Sequence, residues 1–230
     1  MKVLITSGGT REYLDENLVL MNINSGALGS IIADAFVGDS GIENPKHEVY
    51  YLHSKSSVRP VSFISCINIE KNSVKEVYEA MEELVPKMDL VIHTMSISPF
   101  YFEKNNLVGN NLVGNNLVEN NEIEFFTEYI YKNALISPNI LLLIKQWNPV
   151  VSLVGFKSTV GETVKGLVKK ARAFGLKNGC DIVVASDKKQ IEKNKEYISY
   201  FVRPDGSHEP FHNEEQIAKG LLQAAESVLI

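Results

Sequence analysis

Residues 2–10 of the chain read KVLITSGGT, a short apolar strand that runs directly into Gly8 and Gly9. Residues 22–29 read NINSGALG and lead into a helical pattern that continues to Phe36. Glycine allows a positive φ and a close approach of a ligand to the backbone. Backbone N–H groups at a turn or a helix N-terminus bind anions, usually phosphate. The two turns therefore indicate a phosphate or nucleotide site, and a plain strand–turn–helix connection is the alternative.

The pair of turns matches neither of the common nucleotide motifs. The dinucleotide fingerprint Gly-x-Gly-x-x-Gly is absent, and no Gly-Lys-Ser/Thr of a Walker A motif follows the glycines. An NAD(P)-binding reductase is further disfavoured because His53 and Ser54 stand where the second strand would end in Asp or Glu. Asn24, Ser25 and Gly26 can cap the helix that follows the second turn.

Strands and helices alternate along the chain. Apolar runs predict strands at residues 3–7, 48–53, 61–67, 89–97, 150–157 and 181–186. Helical spacing predicts helices at residues 27–37, 74–85, 138–147, 163–178 and 214–230, and residues 198–202 with the stretch around His208 predict a short hairpin. This order is typical of βαβ units. We therefore expect one α/β domain, residues 1–230, with a Rossmann-like, mostly parallel sheet flanked by helices and a ligand site at the carboxyl ends of its strands.

One segment, about residues 100–131, breaks this pattern and is interpreted as an inserted flap. Within it, residues 105–121 form a five-residue tandem repeat (NNLVG, NNLVG, NNLVE, then NN). Its Asn and Gly content and its lack of a helix or strand period predict a long loop, with a small repeat-built turn structure as the alternative. Residues 122–131 alternate in polarity and predict an edge strand or hairpin arm.

Composition and charge exclude several classes of protein. The chain is 44% hydrophobic and 22% charged, with a net charge of −5, which is ordinary for a globular domain and argues against a nucleic-acid partner. Cys66 and Cys180 lie far apart without metal-ligand spacing, so we expect buried free thiols and no metal centre. Neither a signal peptide nor an apolar run near the ~20 residues of a membrane span is visible. We therefore expect no membrane association and a cytoplasmic location.

Polar residues next to the glycine turns are candidates for ligand contact. Thr10, Glu12 and Asp15 follow the first turn, where they can contact a ligand or cap the loop. Asn22 and Asn24 flank the start of the helix. An amide both donates and accepts hydrogen bonds, so it can hold an acyl or phosphoryl oxygen, and helix capping is the alternative.

Further candidates lie at the ends of the later strands. His93 lies inside the central strand, which favours a core or dimer-interface histidine over a ligand. Ser96 and Ser98 follow at the end of that strand. Phe156 and Lys157 end the next strand, where a ring followed by a cation suits a nucleotide base and a phosphate.

Together these blocks resemble the phosphopantothenoylcysteine synthetase family, also called phosphopantothenate–cysteine ligase, in its monofunctional bacterial form. The blocks stand in the family's order over nearly the whole length: residues 3–10 with Glu12 and Asp15, 22–26 with Gly29, 90–98, 138–141, 147–149, 154–157, 171–172, 176–178 and 181–187.

The resemblance implies a Rossmann-like homodimer that acts in coenzyme A biosynthesis. It implies three small-molecule substrates: 4′-phosphopantothenate, cysteine and a nucleotide triphosphate, CTP or ATP, with Mg²⁺. The nucleotide activates the phosphopantothenate carboxylate as an acyl-nucleotidyl intermediate with loss of pyrophosphate, and the cysteine amine then forms the amide. Such chemistry depends on positioned cations and dipoles rather than on a side-chain nucleophile.

The resemblance also assigns roles by position in the family's motifs. Asn22 matches the Asn that holds the acyl intermediate, and Lys104 is the candidate for the catalytic lysine of the flap. The substrate-binding assignments are Gly8, Gly9, Thr10, Asn24, Ser25 and Gly26. The nucleotide-binding assignments are Ser96, Ser98, Pro138, Asn139, Ile140, Leu141, Phe156 and Lys177.

Several positions depart from the family's pattern. Pro99 stands where the family has an Asp that contacts the nucleotide. Leu18 stands in place of an Arg, and residues 185–187 read Ala-Ser-Asp where the family has Ala-Asn-Asp. The repeat at residues 105–121 occupies the place of the lysine-bearing flap segment and contains no lysine. The alternative hypothesis is therefore a divergent relative that binds phosphopantothenate or a nucleotide without turnover.

Overall fold

The computed structural model describes residues 1–14, 18–38, 47–102, 130–194 and 198–227. The strands are β1 (Lys2–Ser7), β2 (Arg11–Tyr13), β3 (Val19–Met21), β4 (Glu48–His53), β5 (Ile67–Glu70), β6 (Leu90–His93), β7 (Phe100–Tyr101), β8 (Leu135–Ile136), β9 (Ser152–Thr159), β10 (Ile182–Asp187), β11 (Ser199–Val202) and β12 (His208–Phe211). The helices are α1 (Ala27–Val37), α2 (Val74–Leu84), α3 (Ile140–Trp147), α4 (Val164–Asn178), α5 (Lys188–Asn194) and α6 (Glu214–Ser227).

Eight of these strands form one sheet in the order β12-β11-β10-β9-β6-β1-β4-β5. The pairs from β5 through β10 are parallel, and β11 and β12 add an antiparallel hairpin at one edge. Strand order reverses between β1 and β6, so the crevice beyond their carboxyl ends is a topological switch point, where ligands bind in open α/β sheets. The expected Rossmann-like α/β fold is confirmed.

Helices cover both faces of the sheet because successive side chains of each buried strand point to opposite sides. Leu4, Val91 and Leu153 pack with residues of α2, α3 and α4 in one cluster. Ile5 and Ile92 pack with α1 and α6 in the other. Helix α2 begins with a complete capping box between Ser73 and Glu76, and α4 ends at Gly179, which adopts the left-handed conformation common at helix C-termini. No helix among the described residues is long and apolar enough to cross a membrane.

The strand predicted at residues 61–67 is wrong in position. Val61 is nearly fully exposed, and Phe63–Ser65 form a short 3₁₀ helix that follows Pro60. The Asp34 carboxylate accepts hydrogen bonds from the backbone N–H groups of Val61 and Ser62 at 3.1 and 2.7 Å. The apolar run is therefore a capped turn, and the strand, β5, comes after it.

The other differences concern the switch point and the flap. The strand predicted at residues 89–97 ends at His93, because residues 94–98 leave the sheet and Ser96 pairs instead with residues 8–10. Those residues lead into the β2–β3 hairpin, which no pattern predicted. The repeat at residues 105–121 lies outside the described residues. The described end of the strand predicted at 122–131 is wrong, since Ile130 and Tyr131 are helical. The helix predicted from Pro138 begins at Ile140, with Asn139 as its N-cap.

Candidate active site

A cleft of about 780 Å³ opens at the carboxyl ends of β1, β6, β9 and β10. It has two halves, which we name by position. The switch-point half consists of residues 24–25, 27–29 and 93–99, and the distal half consists of residues 137–141 and 156–158 with Ser186, Lys188 and Ile191. Nine of the residues predicted to bind substrate or nucleotide line this cleft: Asn24, Ser25, Ser96, Ser98, Pro138, Asn139, Ile140, Leu141 and Phe156.

The remaining predicted residues stand elsewhere. Gly8, Gly9, Thr10, Asn22 and Gly26 form the layer directly behind the switch-point half rather than its surface. Lys177 is exposed near the end of α4 and does not line the cleft. Lys104 lies outside the described residues, so its assignment stays a prediction.

The two glycine turns fit against each other without room for side chains. Gly8 and Gly26 have φ values of +86° and +75°. A Cβ on Gly26 would lie 2.0 Å from Oγ of Ser57 and 2.6 Å from Oγ of Ser7. The Ser7 hydroxyl donates to the carbonyl of Gly26 at 3.0 Å. Only glycine allows both the backbone conformation and this approach.

Two asparagine amides connect the second turn to the end of β6. Nδ2 of Asn22 donates to Oγ1 of Thr10 at 3.3 Å and to the carbonyl of Ser96 at 3.2 Å. Nδ2 of Asn24 donates to the carbonyl of Thr94 at 3.1 Å and to Oγ of Ser96 at 3.0 Å. The Asn22 side-chain oxygen makes no hydrogen bond with a described residue.

The start of α1 opens into the switch-point half. Gly26 is the N-cap in the left-handed conformation and carries no side chain to cap the helix. Asn24 and Ser25 accept only from the backbone N–H groups of Gly26 and Ala27, at 2.9 and 3.3 Å. Leu28 and Gly29, the next residues of the first turn, line the cleft, and no described side chain accepts a hydrogen bond from their backbone N–H groups. An uncapped helix start favours an anion through its orphan donors and its dipole.

His93 closes the floor of the cleft beside Thr6. The imidazole Nδ1 lies 2.8 Å from the Thr6 hydroxyl oxygen, which also accepts from the backbone N–H of Met95 at 3.2 Å. Burial lowers the pKa of His93 to about 4. The ring is therefore neutral at neutral pH and acts as a positioned dipole rather than as a cation.

Glu12 anchors the hairpin behind the cleft to α2. Its carboxylate accepts from the backbone N–H of Val74, the first residue of α2, at 2.7 Å. Burial raises the pKa of Glu12 to about 7, against the lowering effect of its hydrogen bonds to backbone N–H groups. The sequence proposed ligand contact or loop capping for this residue, and the structure shows the capping role.

Two polar side chains of the distal half leave hydrogen-bonding atoms without a partner among the described residues. The N-cap side chain of α3, Asn139, makes no capping hydrogen bond. The Ser137 hydroxyl is buried and has no hydrogen-bond partner within the described part of the chain. Pro99 lines the cleft between the two halves, and its carbonyl accepts from the backbone N–H of Ser137 at 3.0 Å.

Two lysines, Lys157 and Lys188, are the cations that line the cleft. Nζ of Lys157 lies 5.5 Å from the ring centroid of Phe174. Neither lysine forms an ion pair with a described carboxylate. The nearby Asp187 carboxylate is engaged by Thr159 and by backbone N–H groups, which lower its pKa to about 2. The sequence analysis did not predict Lys188 as a site residue, although its position directly after a predicted central strand could have indicated it.

The described residues contain no group of three or more His, Cys, Asp or Glu side chains that could hold a metal ion. Glu214, at the start of α6, is the carboxylate among the described residues that line the cleft. Mg²⁺ binds through one or two carboxylates together with substrate phosphates rather than in an all-protein cage. A magnesium ion at this cleft would therefore be held largely by substrate phosphates, and the expectation of Mg²⁺ stays a prediction.

Comparison with known proteins gives a consistent set of relatives. The model of the DNA/pantothenate metabolism flavoprotein C-terminal domain matches residues 1–111. The coenzyme A biosynthesis bifunctional protein CoaBC of Thermococcus kodakarensis is 30% identical over 230 residues, which are 99% of this chain and 51% of that protein. The CoaBC of Methanocaldococcus jannaschii is 24% identical over 203 residues, 87% of this chain and 44% of that protein. The chain thus spans about half the length of the curated relatives it matches.

Solved structures agree with these relatives. The DNA/pantothenate metabolism flavoprotein of Streptococcus pneumoniae superposes with a TM-score of 0.78 at 26% identity, covering 99% of both chains. A Cab2 variant in complex with phosphopantothenate–cysteine superposes with a TM-score of 0.72 at 14% identity, covering 98% of this chain and 86% of the other, and so supports the fold alone. The chain is thus similar to proteins of coenzyme A biosynthesis, which agrees with the resemblance to the phosphopantothenoylcysteine synthetase family.

Proposed function

We propose that this protein is an amide-forming ligase of coenzyme A biosynthesis, which joins 4′-phosphopantothenate to cysteine at the expense of CTP or ATP. The observation that carries the proposal is the two-part cleft, in which the start of α1, whose N-cap has no side chain, lines one half and Lys157 and Lys188 line the other. Its relatives are coenzyme A biosynthesis proteins, which supports the same pathway for this chain.

The switch-point half is proposed to bind 4′-phosphopantothenate. The start of α1 supplies backbone donors for the phosphate. Asn22 supplies an amide at the point where the two turns meet the end of β6, and its orientation is fixed by two donated hydrogen bonds. A fixed amide is suited to hold an acyl group while a second substrate approaches it.

The distal half is proposed to bind the nucleotide. The ring of Phe156 and the apolar side chain of Leu141 suit a base, and Lys157 and Lys188 suit the phosphates. The substrate carboxylate would attack the α-phosphorus, and the bond to pyrophosphate would break. The cysteine amine would then attack the acyl carbon, and the bond to the nucleoside monophosphate would break with loss of the amine proton. The side chains of this cleft position the reactants and stabilise charge, and none acts as a nucleophile.

A second candidate function is binding without turnover. It is favoured by Pro99, which lines the cleft at the position where the family resemblance implies an Asp. A proline has no side-chain group that can accept a hydrogen bond, so a nucleotide contact made by that carboxylate has no counterpart at this position.

A homodimer is part of the proposal. The β2–β3 hairpin exposes Tyr13 and Met21 to about half of their area, and Ile23, just beyond it, is fully exposed. A contiguous exposed apolar patch is typical of an interaction site. Light scattering coupled to size-exclusion chromatography distinguishes a dimer from a monomer. We also expect a cytoplasmic protein, in which the buried free thiols of Cys66 and Cys180 stay reduced.

The decisive experiment follows pyrophosphate in a mixture of the protein, 4′-phosphopantothenate, cysteine, Mg²⁺ and either CTP or ATP. The proposal predicts pyrophosphate release that requires phosphopantothenate, and amide product that requires cysteine. Absence of release with both nucleotides, together with a rise in melting temperature on addition of phosphopantothenate, would replace the ligase with the binding function.

A further inference from the structure

An amide–amide contact lies where α3 begins. Nδ2 of Asn139 donates to Oδ1 of Asn178 at 2.8 Å. Asn178 is 3% exposed and belongs to α4, so its partner is 39 positions distant along the chain. Asn139 lines the distal half of the cleft, whereas Asn178 stands behind it.

The buried asparagine determines which way the exposed one points. Nδ2 of Asn178 donates to the carbonyl of Phe174 at 2.8 Å, so Oδ1 of Asn178 is the atom turned toward Asn139. That oxygen can only accept, which selects the NH₂ group of Asn139 as its partner. The opposite orientation would bring two oxygens together and leave a buried acceptor unpaired, at a cost typical of a lost hydrogen bond.

The consequence is an amide oxygen of fixed orientation in the distal half. Oδ1 of Asn139 makes no hydrogen bond with a described residue, and the side chain makes no capping bond to the first turn of α3. An N-cap asparagine ordinarily uses this oxygen to accept from its own helix. Here the oxygen stands unused on the wall that also carries Leu141 and, across the cleft, Phe156.

We propose that Asn139, oriented by Asn178, selects nucleotides whose base carries an exocyclic amino group at the pairing edge. The acceptor oxygen of Asn139 would take a hydrogen bond from the 4-amino group of cytosine or the 6-amino group of adenine. Uracil and hypoxanthine carry an oxygen at the corresponding position, and two acceptors repel each other. The inference rests on the proposed function, because it assigns a specificity-determining residue to the nucleotide site of that reaction.

Two matched pairs of nucleotides test this selection directly. Dissociation constants are measured calorimetrically for CTP and UTP and for ATP and inosine triphosphate, each with Mg²⁺ and without phosphopantothenate. We expect the amino-bearing nucleotide of each pair to bind at least about tenfold more tightly, as for one hydrogen bond gained against one repulsive contact. In Asn139→Ala, the two dissociation constants within each pair should differ by no more than about twofold. Because Asn139 does not cap α3, this variant loses only the hydrogen bond to Asn178, and its melting temperature should fall only slightly.

Asn178 is a positioning residue and needs a different pair of variants. Asn178→Leu removes the acceptor that holds the Asn139 amide, so the amide can rotate and both ratios should fall. Asn178→Asp keeps an oxygen facing Asn139 and should retain them. Unchanged ratios in Asn178→Leu would overturn the orienting role, because a merely structural residue has no reason to change base selectivity.

The outcomes separate this inference from the ligase proposal. Equal binding within each pair by the wild-type protein, unchanged ratios in Asn139→Ala, or no binding of any of the four nucleotides would overturn the inference. Base selection without pyrophosphate release would sustain it and refute the ligase. Pyrophosphate release that is equally fast with CTP and UTP would refute the base selection and sustain the ligase.

Discussion

The two halves of the cleft differ in how their polar groups are used. At the switch-point half, Asn24 on its wall and Asn22 behind it donate to groups at the end of β6, and the glycine turns behind it fit against serine hydroxyls. In the distal half, Lys157 and Lys188 have no described ion-pair partner. A site whose side chains hold one another is organised before its ligand arrives, whereas open charges acquire their geometry from the ligand. Changes in the first half should therefore alter the chemistry or the fold, and changes in the second should alter affinity.

The largest effect is expected from Asn22→Asp. The aspartate can no longer donate to Thr10 and Ser96, and its charge faces the Ser96 carbonyl. We expect amide formation to slow by about 100- to 1,000-fold, the cost of losing one positioned transition-state contact. Pyrophosphate release should slow less. Separate measurement of pyrophosphate and of amide product gives the two rates.

Asn24→Asp is the matched control, because Asn24 also loses two donated hydrogen bonds to the end of β6. Asn24→Asp should slow pyrophosphate release and amide formation to the same extent. If Asn22→Asp behaved in the same way, the difference between the two asparagines would vanish, and Asn22 would have no special role in the acyl step.

An intermediate effect is expected from Gly26→Ala. The new Cβ would meet Oγ of Ser57 at 2.0 Å in a backbone conformation with φ of +75°. Left-handed strain and overpacking together should lower the free energy of unfolding by about 2–4 kcal/mol. Urea unfolding followed by circular dichroism measures this change.

Gly38→Ala separates strain from steric clash. Gly38 has a φ of +72°, but a Cβ there would meet no atom within 4 Å. We expect a loss of about 1 kcal/mol from backbone strain alone. A loss as large as that of Gly26→Ala would show that the close fit of the glycine turns contributes nothing beyond backbone conformation.

The smallest effect is expected from Lys157→Ala. Removal of one cation from the cleft should weaken nucleotide binding by about tenfold, in line with one charge-assisted contact. Binding of phosphopantothenate should stay unchanged. Lys177→Ala should leave nucleotide binding within about twofold of the wild-type value, because Lys177 does not line the cleft. Titration calorimetry with CTP or ATP compares the two variants, and the reverse order of effects would restore the sequence-based assignment of Lys177.

The elements that the sequence predicted well have strong local signals. Strand β1, helix α1 and the turn between Asn24 and Gly26 each follow from apolar periodicity or glycine chemistry within a few residues. The run at residues 61–67 misled the prediction because its apolar side chains are exposed, and the capping carboxylate of Asp34 lies far away in sequence. A local pattern cannot contain a partner that only the fold brings near.

The same limit applies to the site. Nine of the predicted residues line the cleft because strand ends converge at the switch point, which topology dictates. The contact between Asn139 and Asn178 was beyond the sequence reading, since nothing local indicates that two asparagines 39 positions apart meet. Lys177 was assigned to the nucleotide site by its position in a family motif. The local sequence is equally compatible with an exposed place near the end of a helix, which is where the residue lies.

The hydrogen bonds between the second glycine turn and the end of β6 also determine when the site is built. Those from Asn22 and Asn24 to Ser96 span 74 and 72 positions of the chain. Contacts of such sequence separation form only after the loop between them has closed. During synthesis, the switch-point half cannot be complete until β6 has been made and paired with β1. A truncated chain that ends before β6 would carry the glycine motif and lack the site.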